Sequence, residues 1–230
     1  LKQLALACHN HHDTYNRFPS AHNLRPSYVS GYVSADEGNL AENPPGGLHP
    51  TTGAPNNGEF WSWLWQIGPF MEQSSITDRG DMSPTSGNLW GWWQLDPLTN
   101  KVVIAPVVKS FACPSDVRGA ANMQSPPYNS PDDMRYVAAL TSYLGVSGRQ
   151  QYKSGVNTAT PGQDGIIYVN SKVTFGGITD GSSQTLLIGE RPPNNDLQFG
   201  WAWCGFGDNG MGQGDVVLGV HERRATPIGG

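Results

Sequence analysis

The chain has 230 residues and a formal net charge of −5, and only 14% of its residues are charged, against roughly 25% in an ordinary soluble domain. Its 29 glycines and 18 prolines argue against a bundle of long helices, because both residue types interrupt helices. The aromatic content of 10% argues against a disordered chain. The chain has no basic stripe, so we do not expect a nucleic-acid partner. We therefore expect one loop-rich globular domain over residues 1–230.

Residues 1–17 show the periodicity of an amphipathic helix. Its apolar face comprises Leu1, Leu4, Ala5, Cys8, His12 and Tyr15. No capping residue precedes Leu1, so the pattern predicts a helix that is already running where the sequence starts, as in a longer chain cut within a helix. Pro19 ends the helix, since the residue before a proline is pushed out of the helical region.

Residues 20–105 are predicted to form a loop-rich insertion, with turn-forming Pro, Gly and Asn over residues 20–58. Alternation of Trp61, Trp63 and Trp65 would suit a strand, but the length of the run favours a helix, followed by a second short helix that Pro69 opens. Residues 106–220 contain six strand-like segments, namely 107–113, 140–146, 165–169, 185–189, 199–204 and 215–220. This order predicts an α+β fold, with the N-terminal helix on one face of an antiparallel sheet.

Three groups of residues could bind a metal or form a cross-link. His9 and His12 lie one helical turn apart and would need a third ligand; alternatively, His12 packs under the sheet while His9 and His11 face solvent. Asp208, Asn209 and Asp215 lie in a glycine-rich segment that could hold calcium, although such a hairpin needs no ion. The three cysteines lack the spacing of a zinc site; Cys113 and Cys204 could form a disulfide in an oxidising compartment, or all three could be buried thiols.

The tryptophans of a second loop suggest a binding surface. Trp90, Trp92 and Trp93 could stack on sugar rings, or they could instead cover the core or form a subunit contact. Catalytic signals are poor, because the chain has no Gly-x-Ser-x-Gly motif. We expect Glu190 and Arg191 to form a buried network that locks the sheet, and we expect a protein that is not an enzyme.

Five blocks in order resemble a bacterial family whose members begin with a prepilin cleavage and methylation signal and carry a large domain of unknown function. The blocks are residues 1–19, 61–73, 111–116, 142–148 and 178–192. The resemblance implies a type IV pilin-like or type II secretion pseudopilin-like architecture, in which the first helix continues N-terminally as a hydrophobic stalk. It also slightly favours calcium in a loop, since secretion pseudopilins often stabilise a loop with that ion.

The resemblance predicts a structural subunit at the cell envelope, on its periplasmic or extracellular face. Its partners would be copies of itself or other pilin-like subunits, and the membrane would be reached only through the missing stalk. The alternative function is a surface-exposed module that binds carbohydrate or a cell-envelope polymer through the tryptophan-rich loops.

Overall fold

The computed structural model describes eleven parts of the chain. They are residues 1–22, 61–80, 96, 98–99, 102–116, 122–124, 137–148, 164–168, 171–193, 200–204 and 217–219. Among the described helices, none is long and apolar enough to cross a membrane.

The first helix, α1, spans Lys2–Tyr15 and confirms the helical periodicity. It ends at Asn16, whose left-handed backbone (φ 53°) turns the chain and lets its N–H bond the carbonyl of His12. The buried face of α1 consists of Leu4, Ala7, Cys8, His11 and His12. The placement of Leu1 on the buried face was wrong, because its side chain is 51% exposed.

The second helical region confirms helix rather than strand for the tryptophan-rich run. Helix α2 spans Trp63–Ile67, a 3₁₀ turn spans Gly68–Met71, and α3 spans Ser74–Thr77. Ser62 caps α2, because its hydroxyl accepts a hydrogen bond from the N–H of Trp65. Pro69 lies in the first turn of the 3₁₀ segment, as predicted, where its missing N–H costs nothing.

The strands in the described part of the chain form two small sheets. Strands β1 (Asn122–Gln124) and β2 (Val137–Ala139) pair antiparallel. In the other sheet, β3 (Tyr143–Gly148) lies between β4 (Ile188–Glu190), which is antiparallel to it, and β5 (Val217–Gly219), which is parallel to it. The mixture of helices and strands is consistent with the predicted α+β class, but the β3–β5 pair corrects the expectation of a purely antiparallel sheet.

Three predicted strands are not ladder strands in the described residues. The segment 107–113 contains a 3₁₀ turn at Lys109–Phe111, and residues 164–168 form bends. Residues 200–204 make isolated bridges, through Trp201 to Leu140 and through Cys204 to Trp61. β-Branched and aromatic side chains suit any half-buried surface, so their presence does not require a continuous ladder of hydrogen bonds between strands.

An aromatic core joins these elements. Trp65 and Phe111 both meet Trp203 edge to face, with ring centroids 5.7 Å and 5.1 Å apart. Helix α1 packs chiefly against α2 and the 3₁₀ turn that follows it, whereas the sequence predicted that it would lie on a sheet. Trp63, Leu64 and Ile67 of α2 are buried in the same core cluster as Leu4 and Cys8 of α1.

Candidate functional site

A cavity of about 440 Å³ lies beside a salt bridge between Arg79 and Asp96. The two residues of the bridge line the cavity together with Thr99. Its walls are apolar and come from Val102, Val103, Ala105, Pro106 and Val107. The volume falls within the range of small-ligand sites, which combine apolar walls with a few polar groups.

Asp96 is held in place by three donors. The backbone N–H of Leu98 bonds Oδ1 at 2.9 Å, and the Thr99 hydroxyl and Arg79 Nη1 both bond Oδ2 at 2.9 Å. These donors, the Leu98 N–H most strongly, hold the pKa of Asp96 below its ordinary value. The carboxylate is therefore ionised at neutral pH and fixed in orientation.

Arg79 is the group that faces outward. Its side chain is 44% exposed, whereas that of Asp96 is 4% exposed. A guanidinium carries five N–H donors, and among the described residues Arg79 uses only its Nη1 group, on Asp96. The remaining donors at the mouth of an apolar cavity suit a ligand that has an apolar body and a carboxylate or carbonyl oxygen.

The sequence reading did not single out Arg79 or Asp96. A signal was present, because Asp96 stands two residues before Leu98 and three before Thr99, the spacing at which an Asp side chain bonds the backbone of its own turn. Arg79 offered no such signal. Its partner lies 17 residues away, and only the folded chain brings the two together.

The histidines of α1 pack against neighbouring aromatic rings, and they do not form a metal site with other described residues. The Nε2 atom of His12 accepts a hydrogen bond from the N–H of Phe175 at 3.2 Å, so this nitrogen is occupied. The ring of His9 stacks on Phe175, with centroids 5.3 Å apart. No group of three His, Cys, Asp or Glu side chains in the described part of the chain could hold a metal ion.

His11 was predicted to face solvent, and this is wrong. Its side chain is only 1% exposed, and its Nδ1 lies 3.0 Å from the carbonyl oxygen of Arg17, so Nδ1 carries the proton and donates it. Burial lowers the pKa of His11 to about 4, and the ring is neutral near pH 7. His11 therefore fastens the end of α1 to the chain that follows it.

A second, polar cavity of about 250 Å³ has Asp164, Thr179, Asp180 and Thr185 among its lining residues. Both carboxylates are exposed. Exposed carboxylates remain hydrated, so this cavity has weaker features of a binding site than the one beside Arg79.

The remaining sequence-predicted residues divide into three groups. Trp90, Trp92, Trp93, Asp208, Asn209 and Asp215 lie outside the described residues, so their roles stay predictions. Cys113 and Cys204 are free thiols in this structure, as is Cys8, and the conditional disulfide stays a prediction for an oxidising compartment. Glu190 is exposed, so the expected buried network with Arg191 is wrong.

Comparison with known proteins places the chain in a family. A family model described as "Protein of unknown function (DUF1559)" matches residues 1–222. No curated protein and no solved structure gives a significant match. Because the model matches nearly the whole chain, the protein belongs to the DUF1559 family.

Proposed function

We propose that this protein is a non-enzymatic structural subunit, the globular head of a pilin-like or pseudopilin-like protein that assembles at the cell envelope. The observation that carries the proposal is the family match over residues 1–222, since this family is associated with prepilin-like proteins. Assembly would use copies of the chain itself or other pilin-like subunits as partners.

The two faces of α1 support this proposal. One face is buried in the core, and the opposite face exposes Leu6 at 59%; Leu1, which precedes the helix, is 51% exposed. The exposed Leu6, with Leu1 at the start of the helix, offers apolar surface that a neighbouring subunit would cover in the proposed assembly. An assembled neighbour would bury these half-exposed side chains and gain roughly 1–2 kcal/mol for each leucine that it fully covers.

The test uses the complete natural gene product, expressed with and without a prepilin peptidase. We expect peptidase-dependent shortening in mass spectrometry and filaments or membrane assemblies in immunogold electron microscopy. Leu6→Glu should block incorporation while leaving the melting temperature nearly unchanged, because the side chain is exposed.

Gln3→Glu is the matched control, since it adds the same charge on an exposed position of the same helix. This control variant should assemble normally. A gene product that is neither processed nor assembled would refute the proposal, and equal assembly of Leu6→Glu and Gln3→Glu would remove α1 as the contact surface.

The cavity beside Arg79 favours a second candidate function, a binding module for a carbohydrate or cell-envelope polymer. Its apolar walls and outward-facing guanidinium suit a sugar polymer that carries carboxylates. In sequence, Asp96 follows by three residues Trp93, one of the tryptophans predicted to stack on sugars.

Binding of oligosaccharides with and without uronic acids, measured by calorimetry, distinguishes this function from the first. Arg79→Gln should weaken binding of the acidic oligosaccharides, whereas Lys109→Gln, an exposed cation in the 3₁₀ turn, should not. Absence of binding in calorimetry and in cell-wall pull-downs would reject the binding-module function.

A further inference from the structure

Among the residues that the structure describes, strand β4 forms one edge of the three-stranded sheet, whose order is β4-β3-β5. Two backbone hydrogen bonds show which residues of β4 direct their N–H and carbonyl groups toward β3. The N–H of Val146 bonds the carbonyl of Leu187 at 2.9 Å, and the N–H of Arg191 bonds the carbonyl of Ser142 at 2.8 Å. In an antiparallel ladder the hydrogen-bonded residues alternate, so residues 187, 189 and 191 direct their backbone groups toward β3.

The backbone groups of Ile188 and Glu190 therefore point away from the sheet. They comprise two N–H donors and two carbonyl acceptors, and none has a backbone partner among the described residues. Solvent reaches this edge, since Glu190 is exposed and the preceding Leu186 is 59% exposed. Unpaired donors and acceptors in a row are a template for another strand.

We propose that this edge pairs with the same strand of a second copy of the chain, antiparallel and around a two-fold axis at Gly189. In that register Ile188 of each copy stands opposite Glu190 of the other. The two N–H groups and two carbonyls of one copy then meet their complements in the other, and all eight groups are used in four hydrogen bonds.

The residues at the axis and at the ends suit this register. Gly189 has no side chain to obstruct the close approach of the two copies on the axis. The next outward-facing pair brings the exposed Leu186 of one copy opposite the exposed Pro192 of the other, an apolar contact at each end. Pro192 has no N–H, so the set of outward donors ends at Glu190.

A second copy is favoured over a foreign strand because the edge complements itself. Its donor and acceptor pattern, its terminal leucine and its proline recur on the same short segment in the required order. The product is a six-stranded sheet in the order β5-β3-β4-β4-β3-β5. This inference goes beyond the proposed subunit role, because it concerns the globular domain alone and needs neither processing nor a stalk.

Sedimentation equilibrium of the 230-residue protein tests the pairing over a range of concentrations. We expect a reversible dimer. Ile188→Pro removes the outward N–H while leaving the bonds to β3 intact, because residue 188 does not donate to that strand. It deletes two of the four dimer bonds, so the dissociation constant should rise on the order of tenfold or more.

Ile188→Val is the matched control, since it keeps the N–H and a β-branched side chain, and its dissociation constant should stay near that of the wild type. Circular dichroism checks the fold of both variants. A protein that stays monomeric at high concentration overturns the proposal, as does a dimer that Ile188→Pro leaves unchanged.

Amide exchange of the unaltered protein gives a second test that does not depend on how a variant folds. At concentrations that favour the dimer, the amides of Ile188 and Glu190 should exchange on the order of tenfold more slowly than in the monomer. The amide of Gly189, which already faces β3 opposite Leu144, should change little. Concentration-independent exchange at residues 188 and 190 overturns the proposal.

Discussion

Replacement of Trp203 by phenylalanine tests how the aromatic core supports the cavity wall. The indole is 1% exposed, and its Nε1–H donates to the carbonyl of Pro106 at 2.7 Å. Pro106 lines the cavity beside Arg79. This single hydrogen bond therefore connects the core around α2 to the candidate site, and a phenylalanine ring cannot form it.

The expected cost combines two effects. Loss of the hydrogen bond contributes about 1 kcal/mol, because water reaches the half-buried Pro106 and partly replaces the donor. Loss of part of the indole ring contributes roughly 1–2 kcal/mol through lost burial and a small void. We expect the free energy of unfolding to fall by about 2–3 kcal/mol, which corresponds to roughly 4–12 °C in melting temperature for a domain of this size.

Urea unfolding followed by circular dichroism measures this change, since fluorescence would mix the signals of eight tryptophans. Phe111→Leu is the packing control: its ring is 0% exposed and carries no donor, so the expected cost is about 1 kcal/mol. An unchanged denaturant slope would show that the variants unfold as the wild type does. If Trp203→Phe cost no more than Phe111→Leu, the bond to Pro106 would contribute nothing and the reasoning would be refuted.

Two further predictions concern a buried histidine and a buried glycine. Burial lowers the pKa of His11 to about 4, so as the pH falls the unfolded chain takes up a proton on this histidine before the folded protein does. The free energy of unfolding should therefore fall by about 3 kcal/mol between pH 6.5 and 4. His11→Gln should flatten this dependence in urea titrations at a series of pH values. A Cβ on Gly145 would lie 2.7 Å from Cβ of Ile167, so Gly145→Ala should cost roughly 1–3 kcal/mol. A double-mutant cycle with Ile167→Ala should show less than additive loss, and strict additivity would contradict this contact.

Local patterns predicted the helices well. The spacing of Leu4, Cys8 and His12 located α1, and Pro69 located the 3₁₀ turn after α2. These signals depend on hydrogen bonds between residues three or four positions apart, so a short window of sequence contains both partners. The same window cannot say which neighbour covers a helix, and α1 was predicted on the sheet although it packs chiefly on α2 and the 3₁₀ turn that follows it.

The errors in the β region follow from pairing over long distances. The segment 107–113 has strand-like composition, yet its described backbone joins the fold through a 3₁₀ turn at Lys109–Phe111. The composition of a segment indicates that its side chains suit a half-buried surface, but the segment forms a strand only where another strand pairs with it. Likewise, Glu190 was predicted to be buried, and its place on an edge strand leaves it exposed.

By itself, the sequence determined the α+β class, the first helix, the helical tryptophan run and the resemblance to a prepilin-associated family. These features are carried by local spacing and by ordered blocks of residues. Only the tertiary structure brought Arg79 to Asp96, buried His11 against Arg17 and left β4 at a sheet edge. Each of these depends on how the chain folds back on itself beyond the reach of local spacing, and burial of apolar side chains drives that folding.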